Sequence, residues 1–239
     1  MENTNPVSGF STMTSAIAGA GHYHDWIMSF FSGYIGSSIL EVGTGFGNYR
    51  RYFRDAKVYV SIDIDEQAVL KAAERNDGVY IKADISDPGC VAMLDKYAID
   101  TILCTNVLEH VHDDHSAVAN MCRMLRKGGC LLLAVPAHGF LFNRLDELAG
   151  HQRRYCASAL RELFALASLT EVSVKYINPI GAVGWLANGM FRHSSLDSSS
   201  LNRQVVYFDR YVLPFSRVMN KLTSCCFGQS LVAIARREI

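Results

Sequence analysis

Between residues 37 and 136 short apolar runs alternate strictly with amphipathic stretches, and this alternation constrains the fold more than any other feature of the chain. Residues 38–42 (SILEV) read as a strand running into glycines, and residues 48–55 read as a helix. The next strand is expected at 57–62, a helix rich in Ala and long side chains at 66–75, and a third strand at 78–82. A fourth strand is expected at 99–104, then a helix at 114–125 that stops at Lys127-Gly128-Gly129, a basic last turn followed by glycine. Residues 130–135 form a fifth strand closed by Pro136. Strand and helix in alternation demand a parallel sheet with helices on both faces. Right-handed crossovers then bring the C-terminal strand ends to one edge, where ligands bind.

The flanks have a different rhythm. Residues 15–34, with Trp26, Ile27, Phe30 and Phe31 at helical spacing, predict a helix ahead of the sheet. Residues 137–155 form a long connection with little periodicity, the pattern of a functional lid. A helix at 157–168, a strand at 170–176, an amphipathic helix at 204–222 and a closing strand at 230–235 follow. Between them lie an apolar stretch with three glycines at 178–192 and a serine-rich surface loop at 194–200.

At 239 residues the chain suits one large domain whose core needs neither disulfides nor metal to hold it. Its 23 Lys+Arg balance 23 Asp+Glu, which argues against an electrostatic nucleic-acid binder. Its 49% hydrophobic and 19% charged residues exclude disorder as the default. Seven cysteines at irregular spacing include no CxxC, so they read as small buried hydrophobes in a reducing, cytoplasmic setting. No signal peptide is visible at residues 1–10, and the longest apolar run, 131–135, is far below the ~20 residues of a membrane helix.

The sharpest constellation is Glu41-Val42-Gly43-Thr44-Gly45-Phe46-Gly47. Glycines at 43, 45 and 47 let the backbone turn tightly and approach a ligand, in a GxGxG spacing distinct from the GxGxxG of pyrophosphate loops. A carboxylate at Glu41 would repel a pyrophosphate and attract an ammonium group. Asp63 ends the second strand about twenty residues on, where a carboxylate accepts both hydroxyls of a ribose. Asp84 follows the third strand, placed to accept from an adenine amino group with Ile85 against the ring. A ribose acid alone fits a dinucleotide. All three acids together fit a nucleoside that carries an amino-acid tail and no phosphate, S-adenosylmethionine.

Five segments in order, LEVGTGFGN (40–48), SIDID (61–65), KADISD (82–87), IDTILCTNVLEHVHDD (99–114) and MLRKGGCLLLAVP (124–136), make the sequence resemble the class I S-adenosylmethionine-dependent methyltransferases. The resemblance implies a Rossmann-like, doubly wound α/β sheet of seven strands, mostly parallel with an antiparallel last strand. An N-terminal helix and a helical lid insertion near the C-terminal part would complete it. It implies one domain, with a helical cap at 1–36, a cofactor-binding core at 37–136, and lid, acceptor-side helices and closing strands at 137–239. In the donor site it would place Glu41, Gly43, Thr44 and Gly45 at the methionine end. Asp63 and Ile64 would lie at the ribose and adenine face, Asp84 and Ile85 at the adenine, and Asn106 beneath the methyl donor. FLFNRLDELAGHQRRY (140–155), Tyr-x-Asn-x-x-Gly at 176–181 and FGQSLVAIARR (227–237) resemble a bacterial small-molecule subgroup with many substrates.

A second motif competes. His110-Val111-His112-Asp113-Asp114-His115 has the HxHxDH spacing that resembles the zinc motif of the metallo-β-lactamase superfamily, with His138, His151 and His193 as further candidate ligands. That fold needs a β-rich N-terminal half, and this one alternates. Asp113 and Asp114 also have a simpler role as helix N-terminal charges, so no metal is expected there.

On the acceptor side, His110 and His151 are the candidate catalytic bases, with His22 and His24 behind them. Arg153, Arg154 and Tyr155 are the candidate substrate-binding residues: one guanidinium for an acidic acceptor group, the other to pair with Asp146 or Glu147. The apolar 180–191 stretch with Trp185 reads as core by default, and as an acceptor wall or a partner surface otherwise. The expected activity is a cytoplasmic biosynthetic transferase that moves a methyl group to an oxygen or nitrogen of a small molecule. No nucleic-acid partner and no integral membrane segment are expected, and a homodimer is compatible. A zinc hydrolase built on 110–115 and a non-catalytic cofactor-binding partner protein are the alternatives.

Overall fold

A computed structural model describes residues 19–190 and 199–238. Its centre is one seven-stranded sheet in the order β3-β2-β1-β4-β5-β7-β6. The strands are β1 (Ser38–Val42), β2 (Val58–Asp63), β3 (Val79–Lys82), β4 (Thr101–Thr105), β5 (Cys130–Pro136), β6 (Leu169–Ile177) and β7 (Ser230–Arg237). Strands β1 to β5 pair in parallel, and β7 runs antiparallel between β5 and β6. The sheet reverses its winding between β1 and β4, so the loops after those two strands diverge and open a crevice.

The helices are α1 (Gly21–Phe31), α2 (Glu66–Arg75), α3 (Gly89–Leu94), α4 (Asp114–Met124), α5 (Arg144–Ala149), α6 (Ala157–Leu166), α7 (Pro179–Gly189), α8 (Ser199–Tyr207) and α9 (Leu213–Thr223). Strand periodicity sorts the core into two layers, because successive side chains point to opposite faces. Leu40, Val42, Val60, Ile62, Ile102, Leu131 and Leu133 pack with Leu94, Val118, Met121, Leu160 and Phe164. Ile39, Tyr59, Leu103, Leu132, Val232 and Ile234 pack on the other face with Trp26, Ile27 and Phe31 of α1 and with Leu213 of α9. Strands buried on both faces explain why β1, β4 and β5 read as continuous apolar runs.

Three expectations change. The helix expected at 48–55 is a single 3₁₀ turn, Arg50–Tyr52. Arg50 is the reason: its Nη1 donates to the Phe53 carbonyl, its Nε to the Asp77 carbonyl, and its Nη2 pairs with the Asp77 carboxylate. The chain is drawn toward the end of α2 instead of winding on. The aperiodic 137–155 connection contains α5, started by a capping box in which Asn143 and Asp146 satisfy each other's backbone N–H groups. The apolar 178–192 stretch is mostly α7, entered through Asn178 at φ 63° with its side chain accepting from Gly181 N and Pro179 in the first turn.

The helix expected at 204–222 is present as α8 and α9, joined by a π-helical segment, Phe208–Val212. Residues 15–18 of the expected N-terminal helix and 194–198 of the serine-rich loop lie outside the described residues. Ser199 and Ser200 begin α8. Among the described residues, no helix is long and apolar enough to cross a membrane.

Candidate active site

The glycine loop follows β1 and is tied down by its own backbone. Gly43 N and Thr44 N both donate to the Ile62 carbonyl of β2, and Gly47 N donates to the Thr44 carbonyl. Gly43 sits at φ +87°, and a Cβ there would stand 2.2 Å from Val107 Cγ2. Only glycine allows this loop to lie against the segment that follows β4.

Two carboxylates flank the loop. Asp63, half-buried at the end of β2, accepts from Gly45 N (3.1 Å) and from Asp65 N (2.9 Å), and burial raises its pKa. Glu41 is buried on the α1 face of β1, where it accepts from the Tyr59 hydroxyl and from Ser61 Oγ at 3.3 Å. Its second oxygen, Oε1, has no partner among the described residues. Burial pushes the Glu41 pKa up to about 8. A buried carboxylate oxygen left unmatched beside a glycine-lined turn fits the ammonium end of an amino-acid tail. Thr44 is buried, its hydroxyl 2.7 Å from Ser61 Oγ, and serves the loop's anchorage.

The candidate adenine residues differ in exposure. Ile64 is 54% exposed and offers an apolar surface. Ile85 packs in the core, 4% exposed, and its carbonyl accepts from Asn120 Nδ2. Its side chain thus faces the layer beneath, leaving the exposed Asp84, whose Oδ1 accepts from Ser86 N and Oγ, as the polar group at that strand end. Asn106 terminates β4 in the left-handed region at φ 52°, with its N–H donating to the Ala134 carbonyl. Asn adopts this conformation more readily than most residues do. The reversal it makes sends the chain toward the lid.

Within the 137–155 connection, side chains converge on one buried carboxylate. Asp146 is fully buried. It accepts from His151 Nδ1 (2.8 Å), Arg154 Nε (2.8 Å), Asn143 N (2.9 Å) and Trp185 Nε1 (3.1 Å). Burial alone would raise its pKa, but the His151 bond and the Arg154 charge outweigh that and hold it below the usual carboxylate range. The His110 and His151 rings meet edge-on, 4.9 Å apart. His110 Nδ1 lies 3.2 Å from the Gly150 carbonyl, which can only accept, so the proton is on Nδ1 and Nε2 keeps its lone pair. Burial, helped by the nearby His151, lowers the His110 pKa to about 4. Glu109 is completely buried, neither carboxylate oxygen has a hydrogen-bond partner among the described residues, and His151 Nε2 stands 3.8 Å from its Oε1.

The remaining candidates are placed as follows. Arg153 pairs with Asp114 (2.8 Å) and donates to the His112 carbonyl. Arg154, 1% exposed in its side chain, pairs with Asp146, donates to the Ala137 carbonyl and lies over the Trp185 ring. Tyr155 is buried and donates to Asp114 and to the Leu108 carbonyl. All three thus have partners in residues 108–114 or 137–146, so an acceptor would compete with those contacts. His22 pairs with Asp209, and His24 is buried against the Tyr49 ring. Of the HxHxDH hexad only His110 joins the cluster: His112 and His115 are exposed, Asp113 caps α4, and Asp114 holds Arg153 and Tyr155. His138 stacks on Tyr176 at 4.6 Å, and His193 lies outside the described residues. In α7, Ala182 is core, while Val183, Leu186 and Met190 at the helix end face outward.

The sequence does not single out Glu109 or Tyr59 as site groups; it marks Trp185 only as part of the apolar 180–191 stretch and Asp146 only as an ion-pair partner. A polar pair directly after an apolar strand, Glu109-His110, was the available signal for the first. Nothing local points to the partners of Tyr59 and Trp185, which lie 18 and 39 residues away in the chain.

Residues 40–133 match the family model described as a methyltransferase domain. A protein of Mycolicibacterium smegmatis described as a probable S-adenosylmethionine-dependent methyltransferase is 30% identical over 139 residues, covering 57% of this chain and 50% of that one. The chain thus spans about half the length of that relative. The ubiquinone biosynthesis O-methyltransferase of Azoarcus sp. is 26% identical over 61% of this chain and 72% of its own. A chain of the complex between the Haloferax volcanii Trm112 methyltransferase activator and a methyltransferase superimposes with a TM-score of 0.62 at 15% identity, over 97% of this chain and 98% of that one. Residues 40–133 thus match a methyltransferase domain, and the glycine loop, the strand-end acids and the antiparallel β7 are arranged as in the fold of the class I S-adenosylmethionine-dependent methyltransferases.

Proposed function

We propose that this chain transfers the methyl group of S-adenosylmethionine to an oxygen or nitrogen of a small molecule and releases S-adenosylhomocysteine. The observation that carries the reading is the glycine loop held between Asp63 and the unmatched, buried Oε1 of Glu41. Glu41, Gly43, Thr44 and Gly45 would hold the methionine tail, Asp63 the ribose hydroxyls, and Ile64 with Asp84 the adenine. Asn106 would form the floor. Ile85 would support that wall from below. When bound, the cofactor supplies an electrophilic methyl on a sulfonium.

The protein's task is to align the two groups, exclude water and ease the loss of the acceptor's proton beside the His110–His151 cluster. Within this reading residues 1–36 act as a cap, 37–136 as the donor core and 137–239 as lid and acceptor side. Arg153, Arg154 and Tyr155 act on the acceptor by fixing the lid. The balanced charge supports a small-molecule acceptor over a nucleic acid. The free cysteines support a reducing cytoplasmic setting, with a homodimer as the assembly to test by light scattering.

The test is calorimetry with S-adenosylmethionine. Asp63→Ala should weaken donor binding by about 100-fold, the worth of charged hydrogen bonds to two hydroxyls, while His151→Ala should leave it within about threefold. Equal losses in both variants would refute the separation of donor and acceptor halves. A donor-consumption screen against metabolite pools then identifies the acceptor.

A further inference from the structure

We propose that Glu109, His110 and His151 form a binding site for one first-row divalent cation, with zinc the best fit to the donor set. One potential ligand atom from each residue, two imidazole nitrogens and a carboxylate oxygen, lies within 4.8 Å of the others. Such atoms around a zinc ion stand about 3.4 Å apart, from bonds of roughly 2.0–2.2 Å in a tetrahedral site. The 3.8 Å between His151 Nε2 and Glu109 Oε1 therefore needs only a small contraction.

Three features distinguish this cluster from polar residues that meet by chance. Glu109 is completely buried, yet both its oxygens lack a hydrogen-bond partner among the described residues, a state that buried carboxylates avoid unless something else satisfies them. Each imidazole already spends its Nδ1 on an acceptor, His110 on the Gly150 carbonyl and His151 on Asp146, which leaves both Nε2 atoms for a cation. That is the outer-shell pattern of metal-binding histidines, in which the second nitrogen donates to a carbonyl or carboxylate and fixes the ring. Asp146 is itself locked by Arg154, Asn143 and Trp185, so the His151 ring is held in place from behind.

Two histidines and one carboxylate leave a fourth position open, the composition of a catalytic rather than a closed structural zinc site. Glu109 and His110 follow Val107, which lies against Gly43 of the glycine loop, so the cluster sits on the segment that packs against that loop. An acceptor hydroxyl or amine bound there would be brought to the methyl donor and made easier to deprotonate. That use rests on the methyltransferase reading. The binding site does not. A cation on the two Nε2 atoms also excludes those imidazoles from acting as free bases.

The experiment uses the full chain, stripped with a chelator and titrated with Co²⁺ and Zn²⁺, read by calorimetry and by Co²⁺ absorption. One equivalent should bind with Kd of about 10 μM or below. Glu109→Gln, His110→Ala and His151→Ala should each weaken it by about 30-fold or more, whereas His112→Ala and His115→Ala stay within about threefold. S-adenosylmethionine affinity of every variant, measured alongside, reports folding and tests the donor site separately. The wild-type chain supplies a second readout that needs no variant. Its Co²⁺ form should show two exchangeable, hyperfine-shifted imidazole N–H resonances, from the Nδ1–H groups of His110 and His151. No binding below about 1 mM, no shifted N–H signals, or binding abolished by His112→Ala rather than His151→Ala would each overturn the proposal.

Discussion

Glu41 shows how one residue's meaning depends on what lies across the sheet from it. Its place two residues before the first glycine makes it a candidate ligand-binding acid, and Tyr59, its partner, belongs to the next strand. Burial of that carboxyl has a consequence for stability against pH. With its pKa at about 8, the folded chain keeps a proton that the unfolded chain releases from about pH 4.5 upward, so stability falls as pH rises toward 8. Glu109, at about 7, acts in the same direction up to that pH. His24 and His110, lowered to about 4, act oppositely: the unfolded chain binds protons below about 6.5 that the folded chain refuses, so their contribution rises with pH only up to that point. Between pH 7 and 8 Glu41 is left as the main source of slope. Urea unfolding of the donor-free protein should show stability declining across that interval, and Glu41→Gln should flatten the decline. An unchanged slope in the variant would mean that the carboxyl is already ionised at neutral pH.

At the level of elements, local signals succeeded where side chains act on their own backbone. The helix expected at 66–75 is α2, Glu66–Arg75, because Asp65 caps it from the sequence position where a cap belongs. They failed where a distant group takes over. The 48–55 stretch has helical composition, but Arg50 spends its donors on Phe53 and on Asp77 near the end of α2. Helix α1 lacks a side-chain cap of its own. Asp209, buried in the π-helical segment, accepts from His22 N and Tyr23 N and pairs with the His22 ring. That contact joins residues 187 apart, which no local pattern reveals. Asp209→Ala should destabilise the protein by about 1–3 kcal/mol in urea unfolding, the value of a charged cap to two backbone donors. The glycine loop gives the complementary case. Gly43→Ala puts a Cβ into Val107 and places a non-glycine residue at φ +87°, so it should lose about 2–3 kcal/mol and most donor affinity. Pairing it with Val107→Ala should recover part of the stability but not all, because removing the clash leaves the backbone strain.

The whole molecule is organised by the reversal in strand order between β1 and β4. The alternation in residues 37–136 made the parallel sheet and its ligand-binding edge legible before any side chain was placed. The resemblance supplied the antiparallel β7. What neither supplied is the internal wiring of the lid, since Asp146 draws on groups from its own helix cap, from 151–154 and from α7. The candidate donor acids Glu41 and Asp63 lie within β1 and β2, and the Asp146 network lies beyond β5; the two groups share no hydrogen bond among the described residues. Groups without shared partners contribute nearly additively. Asp146→Asn leaves Arg154 buried with half its compensation gone and should lower stability by about 3 kcal/mol or more. It should nevertheless leave S-adenosylmethionine affinity within about threefold. Combined with Asp63→Ala, the two should give a coupling energy below about 0.5 kcal/mol in donor binding. A larger coupling would show that the lid network reaches the donor pocket through the 106–110 segment. The crevice would then act as one cooperative site rather than two apposed halves.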